Sequence, residues 1–261
     1  MKNDGGSVLK DHSVVSHEKW LKARTAFLEK EKEFTRLRDE LNQRRRELPW
    51  EVVEKEYVFD GPNGRQTLDD LFDGRSQLVV YHAMFDPKSA SASSSWTKDA
   101  ACEQCSFWAD TFNGIIVHLN HRDVTMLAVS RGPYAALNTY KGRMGWSFKW
   151  VSSGESDFNI DYQVSFTPEE MARKAGTYNY NQQPDHSEMH GISIFYKDPA
   201  GKVFHTYSSY SRGIDSLNAT YQYLDLVPKG RDEGDRGPSW VCRHDEYADN
   251  AASHKGCGEQ R

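Results

Sequence analysis

The stretch DAACEQCSFWAD, residues 99–110, decides how this chain is read. Cys102 and Cys105 stand at the start of a segment that reads as one helix over 102–119. Upstream, RSQLVVYHAMF (75–85) is a nearly continuous apolar run of β-formers, the pattern of a buried strand. Between the two lies a loop, 86–101, dense in Ser, Ala, Lys and Asp. Downstream, DVTMLAVS (123–130) predicts a second buried strand. GPYAALNTYKGRMG (132–145) predicts a helix opened by Pro133, and FKWVSS (148–153) a third strand. Strand, helix, strand, helix, strand is the order of a parallel sheet with crossover helices.

Working outward, residues 17–48 form a run without Gly or Pro, rich in Glu, Lys, Arg and Leu, which predicts a long helix. Trp20, Phe27, Phe34, Leu37 and Leu41 give it a narrow apolar stripe. NQRRREL at its end reads as a solvated helix terminus, with positive charge suited to the dipole. EYVFD and RQTL predict short strands around GPNG, and TLDDLF a helical turn capped by Thr67. The segment 152–190 reads as polar and irregular. GISIFYKDPAGKVFHTYSSY (191–210) predicts a hairpin, and GIDSLNATYQYLDL (213–226) a terminal helix. Residues 1–15 and the tail from Pro228 are expected to be loose. The expected organisation is an arm and long helix over 1–48, one α/β domain over 49–227, and a tail over 228–261.

Composition narrows the functional classes. A net charge of -5 over 261 residues gives no global pull toward nucleic acid. No segment has the ~20 apolar residues of a membrane span, and the first residues lack the apolar core of a signal peptide. The expected location is therefore the cytoplasm, where a close cysteine pair reads as redox-active or metal-binding rather than as a staple. No G-x-S-x-G elbow or phosphate loop is present.

Place in the fold sets the chemistry of the pair. The open N–H groups of a helix start favour a thiolate. Cys102, the outer cysteine, is expected to be the more exposed and more acidic of the two and therefore the attacking thiol, with Cys105 resolving. Glu103 works against the thiolate through its charge. The alternative is a copper or zinc site, with Cys102 and Cys105 joined by histidines. His118 and His121 stand at the far end of the predicted helix, roughly 24 Å away. His82, whose strand leads into the cysteine loop, and His205 on the hairpin are the metal candidates, although alternation also makes His82 a hydrogen-bonded core histidine. Arg131, after a strand end, is a candidate for binding substrate or stabilising a thiolate; its plain alternative is a surface ion pair. Trp146 is a candidate pocket residue whose plain alternative is core packing. Cys242 and Cys257 read as incidental exposed thiols.

The stretches 101–166 and 201–233 resemble the thioredoxin-like proteins grouped as domain of unknown function 899, and the likeness runs over roughly residues 15–248. The resemblance implies an α/β thioredoxin-like fold, a central mixed sheet flanked by helices, with an N-terminal helical extension. It implies a dithiol-disulfide oxidoreductase with Cys102 and Cys105 as the redox pair. No bound cofactor is expected, the substrate is a protein or small-molecule thiol or disulfide, and the N-terminal helix is a candidate homodimer contact. In the wider thioredoxin pattern a cis-proline faces the cysteines. Here that slot reads Met189-His190-Gly191, so a trans bond is expected, and His190 becomes a candidate substrate contact or proton acceptor beside the thiols.

Overall fold

The computed structural model describes residues 12–91, 94–234 and 237–247. The expectations for residues 1–11, Cys257 and the end of the tail lie outside them. The chain divides into two compact units, Met1–Pro49 with Tyr223–Asp232, and Trp50–Gln222 with Glu233–Arg261.

The first unit contains helix α1, His17–Arg46. Ser16 caps it by accepting from the Lys19 N–H at 3.4 Å, and Arg44, Arg45 and Arg46 fill its last turn. None of its residues is buried. In the same unit, Arg231 grips Asp225 through two bonds of 2.8 Å.

The second unit is built on an eight-stranded mixed sheet. Its strands are β1 (Glu51–Val52), β2 (Val58–Gly61), β3 (Gly64–Thr67), β4 (Gln77–His82), β5 (Val124–Ser130), β6 (Lys149–Ser152), β7 (Gly191–Lys197) and β8 (Val203–Tyr210). They lie in the order β1-β8-β7-β4-β5-β6-β2-β3. β4, β5 and β6 are mutually parallel, and β7 runs antiparallel to β4 and forms a hairpin with β8. A parallel unit bearing the cysteine pair, joined to an antiparallel hairpin on the far side of its first strand, is the thioredoxin-like arrangement.

Alternation along these strands divides the chemistry between two faces. Leu78, Val80, Leu127, Val129, Val151 and Phe195 pack on one face in a cluster with Phe59 and Phe158. Tyr81, Ala83, Ala128 and Trp150 turn to the other, where the cysteine helix lies. Thr67 starts the turn Asp70–Phe72 as expected: its hydroxyl accepts from the Asp70 N–H at 3.2 Å, and Asp70 accepts from the Thr67 N–H at 2.7 Å.

Four expectations need correction. The single helix over 102–119 is two helices, α2 (Glu103–Ala109) and α3 (Phe112–His121). The Thr111 N–H and hydroxyl both turn back to the Trp108 carbonyl, at 3.1 and 2.8 Å, and end the first helix. After β5 comes α4 (Tyr134–Arg143), with Pro133 at its start. The irregular stretch contains α5 (Phe158–Asp161) and α6 (Pro168–Arg173), the latter held by a Thr167–Glu170 capping box. It also buries Phe158, Val164, Phe166, Tyr178 and Met189, so part of it enters the core. The terminal helix is a 3₁₀ segment (Ser211–Leu217) followed by α7 (Ala219–Leu224), because Asn218 is extended and accepts from the Tyr221 N–H as a cap. Finally, the C-terminal segment is not loose throughout: Val241, Cys242 and Arg243 are buried. Among the described residues no helix is long and apolar enough to cross a membrane.

Candidate active site

Cys102 sits at the N-cap of α2 with extended backbone, φ −49° and ψ 134°. Its N–H donates to the Met84 carbonyl at 3.0 Å, which ties the cysteine loop to the continuation of β4. In return, the Met84 N–H donates to the Cys105 sulfur at 3.3 Å. The Cys102 carbonyl accepts from the Ser106 N–H and hydroxyl, both at 2.9 Å, and the Ser106 hydroxyl pairs with the Tyr140 hydroxyl at 2.8 Å. The first turn of α2 is thus fastened to β4 on one side and α4 on the other. Both thiols are free and almost fully buried, at 1% exposure for Cys102 and 2% for Cys105, so the outer cysteine is not the more exposed one: the loop before α2 covers it.

The two sulfurs are electrostatically unequal. The Cys105 thiol beside it is the largest influence on Cys102 and pulls its pKa down to about 7. Burial opposes this, while the Ser95 hydroxyl and the N–H groups of Cys105 and Gln104 add to it. Burial and the neighbouring Cys102 sulfur instead push Cys105 well above the usual thiol range. A thiolate formed here resides on Cys102.

Glu103 does not act alone. Arg243, 2% exposed, meets its carboxylate at 3.3 Å and Glu246 at 3.0 Å. Arg243 also donates to the Ala101 carbonyl from Nε at 3.0 Å and from Nη2 at 2.7 Å. The C-terminal segment is held against α2 and α4 by further pairs, His244 with Asp110 at 2.7 Å and Arg143 with Asp245 at 2.7 Å. The charge adjoining Cys102 is therefore compensated from a segment some 140 positions away in sequence. Cys242, read from the sequence as an incidental thiol, is buried and disulfide-bonded.

The alternative metal set is not assembled among the described residues. His82 and His205 lie on the opposite face of the sheet from the thiols. His82 Nε2 bonds the Ser193 hydroxyl at 2.8 Å, Ser193 bonds Ser208 at 2.8 Å, and Ser208 bonds His205 Nε2 at 2.8 Å. This polar chain has its rings against Phe158, Tyr162 and Phe195. Burial holds the His82 pKa down to about 3, so the ring is neutral. The period-two alternation of β4 is the physical reason: it sends Tyr81, not His82, toward the cysteines. Among the described residues no three His, Cys, Asp or Glu side chains converge as metal ligands.

The other candidates are placed as follows. His190 is half-buried against the Trp108 ring at 6.2 Å, and desolvation lowers its pKa to about 4. Its ring contact is with Trp108, on the cysteine helix. No described peptide bond is cis. Arg131 is half-buried, and its charge acts on the carboxyl groups of Asp157 and Glu188. Trp146 is core: it is 7% exposed and its Nε1 donates to Asp110 at 2.8 Å. With Trp150 and Phe148 it walls an apolar crevice behind Cys105, completed by Ala83, Ala101, Ala109 and Ala128.

The sequence reading missed four participants. The Ser95 hydroxyl flanks Cys102, and the Tyr81 hydroxyl flanks Cys105. Tyr178 crosses from the irregular stretch, its hydroxyl donating to the His190 carbonyl at 2.7 Å, and burial together with the nearby Cys105 sulfur raises its pKa. Arg243 comes from the tail. Only Tyr81 carried a signal, since alternation from the core-facing Val80 points it at the helix.

Against known families, one model matches residues 9–247, that of the bacterial proteins of unknown function called DUF899. The chain belongs to the DUF899 family. No curated protein matches this DUF899 chain in sequence. Among solved structures it is similar to a Xanthomonas campestris peroxiredoxin Q mutant, with 16% identity and TM-score 0.42 over 67% of this chain and 98% of that one. It is also similar to the peroxidoxin BcpB of Mycobacterium tuberculosis (12% identity, TM-score 0.40, 67% and 96% covered). A third similar structure is a yeast mitochondrial 1-Cys peroxiredoxin (14% identity, TM-score 0.40, 70% and 78% covered).

Proposed function

We propose that this protein is a thiol-disulfide oxidoreductase in which Cys102 attacks and Cys105 resolves. The observation that carries the reading is the placement of the pair, two free cysteines at the start of α2 with Cys102 as its N-cap, and the asymmetry of the two thiols supports it, Cys102 being pulled down to about 7 and Cys105 pushed up. The Cys102 thiolate attacks one sulfur of a substrate disulfide, and a mixed disulfide forms as the other sulfur leaves as thiolate. Cys105, as thiolate, then attacks the Cys102 sulfur. The internal disulfide forms and the second substrate thiolate leaves. Two electrons pass from the dithiol to the substrate, and the two thiol protons end on the released thiols or in solvent. An external dithiol reverses the cycle.

One observation favours a second substrate class. Cys102 is 1% exposed, which suits a small oxidant better than a protein disulfide. With a hydroperoxide, the Cys102 thiolate takes the terminal oxygen to give a sulfenic acid and an alcohol or water. Condensation with Cys105 then yields the same internal disulfide and water.

The test follows the reduced protein by peptide mass mapping, so that Cys242 and Cys257 are counted apart. Alkylation of Cys102 is expected to rise with a midpoint near pH 7. A small aromatic disulfide should convert the chain to the Cys102–Cys105 disulfide. Cys105→Ser should stop at a mixed disulfide on Cys102, and Cys102→Ser should not react. Alkylation of Cys105 ahead of Cys102, or failure to form the internal disulfide with either a disulfide or a hydroperoxide, overturns the reading. The faster oxidant names the substrate class.

A further inference from the structure

A buried hydroxyl without a partner is costly, about 1–3 kcal/mol. The Tyr81 hydroxyl is such a group: the residue is 1% exposed and the oxygen makes no hydrogen bond of regular geometry, with only the Cys105 sulfur as a weak thiol acceptor beside it. Its position is not accidental to the site. β4 turns the ring to the cysteine face, where Phe112 of α3 fixes it edge-on at a centroid distance of 5.2 Å. The hydroxyl lies against the Cys105 sulfur, which already accepts the Met84 N–H at 3.3 Å. The other sulfur shows the same device, because the Ser95 hydroxyl beside Cys102 is also buried and unpartnered.

A thiol is a poor acceptor and a thiolate a good one. A donor left unpaired beside a thiol becomes paired when that sulfur ionises. This is binding energy withheld from the resting state and released along the reaction. Cys105 needs it more than Cys102, because burial opposes its ionisation and it must be a thiolate to resolve the mixed disulfide. Among the described residues no carboxylate or imidazole hydrogen-bonds to either sulfur. Burial and the nearby thiols keep the Tyr81 phenol protonated, so it acts as a donor and not as a base.

We infer that Tyr81 is a catalytic residue of the resolving step, its hydroxyl donating a hydrogen bond to the Cys105 thiolate as Cys105 attacks the Cys102 mixed disulfide, and again as Cys105 leaves when the internal disulfide is reduced. The inference rests on the dithiol reading above. The proton of Cys105 passes to the departing thiolate or to solvent, and Tyr81 keeps its own.

Tyr81→Phe is the test, because it keeps the ring against Phe112 and removes only the oxygen. Acid-quenched mass spectrometry follows the chain after mixing with a small aromatic disulfide. Wild type and Tyr81→Phe should form the Cys102 mixed disulfide at the same rate. Closure to the Cys102–Cys105 disulfide should slow roughly tenfold or more in the variant, the scale of a lost hydrogen bond to a charged group. The pH midpoint of closure should move upward. Thermal stability should be unchanged or higher, since an unsatisfied buried group has been removed, an outcome a structural role for the hydroxyl would not give. Closure at the wild-type rate with an unmoved pH midpoint overturns the role of Tyr81 and leaves the dithiol cycle standing. A wild-type chain that never closes the internal disulfide overturns the cycle itself, and with it this inference.

Discussion

Replacing Glu188 with glutamine should stabilise this protein, and should do so more as the pH rises. Glu188 is 4% exposed, and its carboxylate accepts one hydrogen bond, from the Ser165 hydroxyl at 2.7 Å. Burial raises its pKa from 4.5 to about 8, against the opposing pulls of Ser165 and Arg131. In the folded chain the carboxyl is therefore neutral at pH 7, whereas in the unfolded chain it is ionised. Below pH 4.5 both states are protonated and the group costs nothing. Between 4.5 and 8 the unfolded state releases a proton that the folded state keeps, so stability falls with pH; above 8 the penalty is constant. At about 1.36 kcal/mol per pKa unit, the full penalty is about 5 kcal/mol. Glutamine accepts from Ser165 in the same place and carries no such penalty. Relative to wild type it should gain about 1–2 kcal/mol at pH 5.5 and about 4–5 kcal/mol at pH 8.5. Urea unfolding at the two pH values, followed by tryptophan fluorescence, reads the difference. A gain that is the same at both values, or a loss at pH 8.5, would refute a neutral buried carboxyl at this position.

Two further outcomes follow from the packing. Arg243→Gln should raise the pH midpoint of Cys102 alkylation by roughly 1 unit, because Glu103 loses its compensating charge. The double variant with Glu103→Gln should return it toward wild type, and a midpoint that stays fixed in the folded single variant would contradict the coupling. Gly191→Ala would set a Cβ 2.4 Å from the Tyr210 ring and 3.2 Å from the Ser209 carbonyl. It should destabilise by about 1–3 kcal/mol through forced repacking of the hairpin, visible as a lower urea midpoint.

Part of this fold is legible in the linear chain. Runs such as Leu78–Phe85 and Val124–Ser130 carry β-formers dense enough to demand burial on both faces, and the interval between them fits a crossover helix. Local signals also sufficed for Thr67, Pro133 and the hairpin turn at 198–202, because each rests on contacts within a few residues. They failed where a distant group decides the geometry. The break at Asp110–Thr111 is stabilised by Trp146 and His244, both of which bond Asp110. The stretch 152–190 looks polar, yet Phe158, Phe166 and Tyr178 within it enter the core.

The candidate site divides along the same line. The sequence by itself determined that two cysteines stand at a helix start after a buried strand, with Cys102 three residues ahead of Cys105. Those facts depend only on spacing and on the polarity of the helix end. The tertiary structure alone decided which groups surround the sulfurs. Strand alternation becomes a statement about faces only once the sheet order is known, and it then places His82 and His205 behind the sheet and Tyr81 in front. Arg243 reaches Ala101 and Glu103 across the folded chain, a distance over which no local propensity acts. The difference between Cys102 and Cys105 has the same origin, since burial, a neighbouring thiol and a hydroxyl act through space rather than along the chain.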